Sequence, residues 1–132
     1  RDFPISAIYK DTPLEPLGVF AVPGAYTVKL TVNGTKYTQP LTLKMDPRAK
    51  ITPLGLTQQF RLATRIADMM NRSFAALSHE TPATSHLDDL KTLNADLATA
   101  YDAVEGADRA PTTQAVTAVA ALEQRLAKLL PR

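Results

Sequence analysis

The chain predicts an α+β fold in which an N-terminal β-hairpin precedes an up-down-up three-helix bundle. Three observations carry that prediction. Asn33-Gly34 lies between two alternating runs, Gly24 to Val32 and Thr35 to Lys44, and is the strongest short-range signal for a two-residue hairpin turn. Seven of the ten prolines lie at or before Pro53, which suits extended segments and turns rather than helix interiors. From Thr52 onward the apolar period changes from two to the three-and-four spacing of helices.

In chain order, residues 1–23 read as an extended arm with one short strand at Ile5–Tyr9, and Pro23-Gly24 turns into the hairpin. A loop of Asn33 and Gly34 needs φ > 0 at both positions, which Gly accepts freely and Asn tolerates. That loop sets Val32 opposite Thr35, Leu30 opposite Tyr37 and Tyr26 opposite Leu41. Tyr26, Val28, Leu30 and Val32 then share one face with Tyr37, Leu41, Leu43 and Met45, while Lys29, Thr31, Lys36 and Thr38 take the other. A slip of one residue would turn every apolar group to the opposite face, so the register is well specified. Pro40 lacks a donor, which makes the second strand an edge near that point. Asp46-Pro47 ends it.

Thr52-Pro53 reads as an N-cap followed by proline at the first helical position. Leu56, Phe60, Ala63, Ala67, Met70, Phe74 and Leu77 then form an apolar stripe, widened by Leu62, Ile66 and Met69. Arg65 with Asp68, and Asp68 with Arg72, have the spacing of surface pairs on a helix's wet face. Ser78–Thr84, with Pro82, is a loop. Ser85 is the expected N-cap of the second helix, with Asp88 and Asp89 where the helix dipole favours acids. Its stripe is Leu87, Leu90, Leu93, Leu97, Tyr101 and Val104, and Gly106 is its stop. Pro111 and Thr112 open a third helix with the stripe Val116, Val119, Leu122, Leu126, Leu129 and Leu130, ended by Pro131. The helices are expected near 53–78, 86–105 and 111–130. Residues 54–78 carry three arginines against Asp68, and residues 86–105 carry Lys91 against five acids. That opposition of sign, with short connections, predicts that the first two helices are antiparallel neighbours.

Length and composition exclude more than they name. At 132 residues there is room for one real core, and 45% hydrophobic with 21% charged residues is ordinary for a globular chain. A net charge of +2 is too small to imply a polyanionic partner. Without cysteine there is no thiolate chemistry, disulfide framework or Cys-based zinc site. No apolar run approaches the roughly 18 residues of a membrane helix, and no stretch reads as a signal peptide. Arg1 in place of an initiating Met suggests a processed or trimmed chain, or a piece of a longer one.

Each candidate for chemistry has a plainer explanation. His79, Glu80 and His86 resemble a metal cluster in composition, yet the two histidines do not share a helical face. Asp88 and Asp89 point about 100° apart on a helix and sit where capping favours acids, so they do not read as a catalytic pair. Ser73, Ser78 and Ser85 lack a G-x-S-x-G elbow, and the five glycines are scattered rather than gathered into a phosphate loop. Lys29 and Lys36 face away from Tyr26 and Tyr37, so they suit edge protection better than a nucleic-acid platform. Met69, Met70 and Phe74 read as core filler. No catalytic, cofactor-binding or metal-ligating residue is assigned.

Two stretches carry a resemblance. Asp2–Ile51, above all DFPISAIY and VPGAYTVKLTVNGTKYTQPLTLKMDPR, and the later GADRAPT resemble the C-terminal region of secreted bacterial proteins of the sortilin-like, BNR/Asp-box propeller group, often labelled glycosyl hydrolases. In that group a propeller is followed by an Ig-like module, whose last strands read PGTYTVRLTVDGKTYTQPLTVKMDPR, and then by a helical tail. The shared motifs are structural: P-G-x-Y-T-V and N-G set the hairpin, and MDPR ends it. With no tryptophan there is no S-x-D-x-G-x-x-W Asp-box, hence no propeller, and no catalytic residue carries over. The resemblance implies that residues 1–51 are the end of an Ig-like module, a partial sheet, and that residues 52–132 are a helical bundle. It implies an exported, periplasmic or extracellular parent, of which this chain is a non-catalytic accessory part without cofactor. The hairpin's expected partner is the remainder of the parent or another protein chain, with neither nucleic acid nor membrane involved. The alternatives are a scaffold part of a glycan-acting hydrolase whose active site lies elsewhere, and a free-standing helical interaction protein.

Overall fold

The computed structural model describes residues 18–79, 86–106 and 108–130. Its elements run β1 (Gly24–Val32), β2 (Thr35–Leu43), α1 (Pro53–His79), α2 (Leu87–Glu105) and α3 (Thr113–Leu129). The fold is α+β, a two-stranded antiparallel hairpin followed by three helices. The expected strand at Ile5–Tyr9 lies outside the described residues.

The hairpin takes the expected register, with Val32 opposite Thr35, Leu30 opposite Tyr37 and Tyr26 opposite Leu41. Asn33 (φ 49°) and Gly34 (φ 80°) both occupy the left-handed region, the signature of a type I′ turn whose twist matches the strands. Pro40 stands opposite Thr27.

Thr52 caps α1 as anticipated: its Oγ1 accepts from the Gly55 N–H at 3.0 Å and its carbonyl from the Leu56 N–H at 2.9 Å. At Gly55 a Cβ would come within 3.1 Å of the Ala110 Cβ, so glycine lets the start of α1 approach the segment before α3. Near its start α1 meets the end of α2 through Gln59 and Val104, and near its end it meets the first half of α2 through Ser73 and Asn94. These helices are therefore antiparallel. Arg65 of α1 pairs with Glu123 of α3, and the α1 start lies by the α3 start, so α1 and α3 run parallel. The bundle is up-down-up, as expected.

The core is built from Leu62, Ala63, Ile66, Met69 and Met70 of α1, Leu93, Leu97, Tyr101 and Val104 of α2, and Val119 and Leu126 of α3. This corrects the expected α1 stripe. The buried line is Gln59, Leu62/Ala63, Ile66, Met69/Met70 and Ser73, rotated away from Phe60 and Phe74. Phe74 is exposed and Phe60 and Ala67 are half-buried, so Phe74 is not core filler. Polar side chains enter the core where they have a backbone acceptor. Gln59 Nε2 donates to the Val104 carbonyl at 2.7 Å, satisfying one of the last-turn carbonyls that α2 cannot bond internally. Asn94 Nδ2 donates to Ser73 Oγ (2.7 Å) and to the Met70 carbonyl (3.2 Å), which also accepts from Ser73 Oγ (3.0 Å).

Three further expectations are corrected. The N-cap residue of α2 is His86, with no side-chain cap bond, while Ser85 lies outside the described residues. Gly106 ends α2 as expected, in the right-handed region (φ −69°) and still donating to the Asp102 carbonyl. Val116 is exposed. Arg65, Asp68 and Arg72 are exposed as expected, but Arg65 pairs with Glu123 of α3 rather than with Asp68, and Arg125 of α3 binds Asp96 of α2 at 2.6 Å. Both pairs tie α3 to its neighbours, whereas α1 and α2 join through their apolar faces and the buried amides.

Candidate functional site: the hairpin surface

Among the described residues weighed for catalysis, Ser73, Ser78, Asp88 and Asp89, none forms a reactive group. The Ser73 hydroxyl is fully buried and held between Met70 and Asn94, without a base beside it. Asp88 pairs with Lys91 at 3.3 Å, and Asp89 lies 4.0 Å from His86 Nδ1, so the two acids serve the first turn of α2. Glu80 lies outside the described residues, among which no group of three potential metal ligands gathers. Among the described residues no helix is long and apolar enough to cross a membrane. A groove of about 700 Å³ beside α1 presents Arg61, Arg65 and Arg72, but Asp68 and Glu123 line it too and Arg65 is committed to Glu123, which leaves little net charge for an anion.

The unusual surface is the hairpin itself. Tyr26, Val28, Leu30, Val32, Tyr37 and Leu41 are all exposed, Leu30 to 59% and Tyr37 to 57%. They share the face that alternation predicted, interrupted by Gln39 opposite Val28 and Thr35 opposite Val32. Neither strand packs on a helix among the described residues. The hairpin is joined to the bundle at its root instead. Val19 packs against the helical core, the Phe20 N–H donates to Glu105 Oε2 at 3.4 Å, and the Tyr26 hydroxyl donates to the Val22 carbonyl at 2.6 Å. Between root and bundle lies a cleft of about 320 Å³, lined by Val22, Leu43, Met45, Leu56, Phe60 and Glu105 among others. At the far side of the root Arg48 clasps Asp46 at 2.7 Å, holding that carboxyl below its usual range through this hydrogen bond.

Partial burial at the root pushes the Glu105 carboxyl above the usual glutamate range, against the smaller opposing effect of the Phe20 N–H. A raised carboxyl pKa means that the native state prefers the proton. The corresponding stability is fully present below the unfolded-state pKa and is lost as pH rises through the native one. Glu123 has the opposite sign: the Arg65 hydrogen bond lowers it, and its contribution is lost as pH falls. Glu105→Gln, compared with the parent chain so that Glu123 cancels, is therefore expected to remove a decline in urea midpoint just above the ordinary glutamate pKa. A decline of equal size in both chains would place the raised carboxyl elsewhere.

No protein family, curated protein or solved structure matches this chain.

Proposed function

We propose that this chain is a non-catalytic interaction module: a helical bundle that holds a hairpin out for pairing with polypeptide beyond this sequence. The observation that carries the reading is the exposed apolar face from Tyr26 to Leu41. An isolated hairpin is marginal in water, and each large side chain left wet forgoes roughly 1.5–3 kcal/mol of burial. A face of this size, specified by a strict register and set apart from the helices, suits a surface that is covered on assembly. The partner is protein rather than nucleic acid, because Lys29 and Lys36 stand on the face opposite both tyrosines. Resemblance to the propeller group supports a parent that is exported and an Ig-like sheet as the structure this hairpin completes.

Amide hydrogen exchange on residues 1–132 tests the reading. The amides of Val28 and Leu30 are expected to exchange far faster than that of Leu97, since the hairpin opens without disturbing the bundle. Equal protection would show that the hairpin is already covered from within. Leu30→Asp gives an independent check: it is expected to shift the urea midpoint of the helical signal by less than the equivalent of about 0.5 kcal/mol, as for a surface change, while abolishing docking.

A further inference from the structure

Among the described residues the sheet has two strands, and their register decides which edge of the hairpin can take another. A type I′ turn makes Val32 and Thr35 a hydrogen-bonded pair, and such pairs alternate along an antiparallel ladder. Leu30–Tyr37, Val28–Gln39, Tyr26–Leu41 and Gly24–Leu43 are then the pairs that bond inward. The residues between them turn their N–H and C=O groups outward. On β1 these are Ala25, Thr27, Lys29 and Thr31; on β2 they are Lys36, Thr38, Pro40 and Thr42. Pro40 thus sits where its missing N–H costs the hairpin nothing, and where it breaks the outer ladder of β2. Every outward residue of β1 has both its donor and its acceptor.

Resting on the reading of the hairpin as a docking surface, we infer that the open edge of β1 receives an extended strand from a separate polypeptide, apolar on one side and acidic opposite Lys29 on the other. Alternation follows from continuity of the sheet: side chains level with Tyr26, Val28 and Leu30 extend the apolar face. Acidity follows from charge. Lys29 and Lys36 are diagonal neighbours on the polar face, in a field of threonines and without an acid on either strand. A second copy pairing β1 with β1 about Val28 would set Lys29 of each chain diagonal to the other, crowding four lysines onto one face. Like charges disfavour that occupant, and a carboxylate on a different strand is favoured. Main-chain bonds supply the affinity, and the alternate side chains supply the choice of partner, as in other strand additions to a sheet edge.

The test uses the whole chain with a synthetic peptide matched to β1 in length, alternating valine with threonine and carrying a central glutamate, and its lysine counterpart. Slowed exchange at the outward amides of Thr27, Lys29 and Thr31, with those of Lys36, Thr38 and Thr42 unchanged, is the expected result. Thr27→Pro removes one outward donor without touching the inward ladder and is expected to weaken the glutamate peptide about tenfold, the scale of one lost hydrogen bond. Thr38→Pro is expected to leave it unchanged. The glutamate peptide is expected to outbind the lysine one by up to about fivefold, with Lys29→Glu reversing the order. Protection on β2 instead would overturn the edge assignment and leave the docking reading standing. Protection at neither edge under saturating peptide would overturn that reading too. Concentration-dependent protection of β1 without peptide, with a dimer in sedimentation, would make a second copy the occupant and sink the heterologous strand.

Discussion

Leu97→Ala is expected to destabilise the bundle by about 2–5 kcal/mol, the range for a buried leucine truncated in a core that cannot close over the gap. Leu97 is fully buried at the middle of α2, in one cluster with Ile66 and Met70 of α1 and Val119 and Leu126 of α3. Because α2 contributes to both helix contacts, a void there loosens the packing of α1 and of α3 together. Small domains carry only about 5–15 kcal/mol of net stability, so this one change removes a large share. Lys36→Ala, on the polar face beside the turn, is expected to change stability by less than about 0.5 kcal/mol. Urea unfolding followed by far-ultraviolet ellipticity separates the two, and equal midpoints would show that the core is elsewhere.

The hairpin was legible in the sequence almost residue by residue, because its register depends on two local facts: the φ > 0 demand of Asn33-Gly34 and the period-two alternation beside it. The Thr52 cap was legible for the same reason, since Thr-Pro before an apolar run acts within one turn. The rotation of α1 was not. Its apolar residues cover more than one face, so Phe60 and Phe74 competed on equal terms with Leu62, Ile66 and Met69 for the core. What settled the angle was the partner helix: turning Gln59 and Ser73 inward lets them meet Val104 and Asn94. No single-helix pattern marks a glutamine and a serine as buried, because burial is tolerable only once the acceptor on the other helix exists. The charge asymmetry between α1 and α2 pointed to the right neighbours, yet the described ion pairs of Arg65 and Arg125 join α3. The uncovered hairpin face was foreseeable in outline, since residues 1–51 have too few strands for a sandwich. The consequence of Pro40 emerged only when its place in the ladder was known.

Asn94→Ala is the second large effect expected. The Asn94 amide bridges Ser73 Oγ and the Met70 carbonyl inside the α1–α2 contact, where Ser73 is fully buried and Asn94 nearly so. Truncation removes the donor and leaves the serine oxygen without it, away from water, which costs about 1–3 kcal/mol. Ser73→Ala alone is expected to cost less. The Asn94 amide keeps the Met70 carbonyl, and the change removes a hydroxyl whose own acceptor is a carbonyl of the same helix. The contrast lies in the double variant. With Ser73→Ala already in place, Asn94→Leu replaces the remaining amide by an apolar side chain of similar size, and the Met70 carbonyl retains its place in the α1 ladder. Removing both polar partners together is then expected to cost less than Asn94→Ala alone, because an unsatisfied buried group is more costly than an absent one. A double-mutant cycle in urea measures the coupling, expected at about 0.5–3 kcal/mol for groups in one network. Strict additivity of Ser73→Ala and Asn94→Leu would mean that the two side chains act independently, and that the contact between α1 and α2 is held by its apolar residues alone.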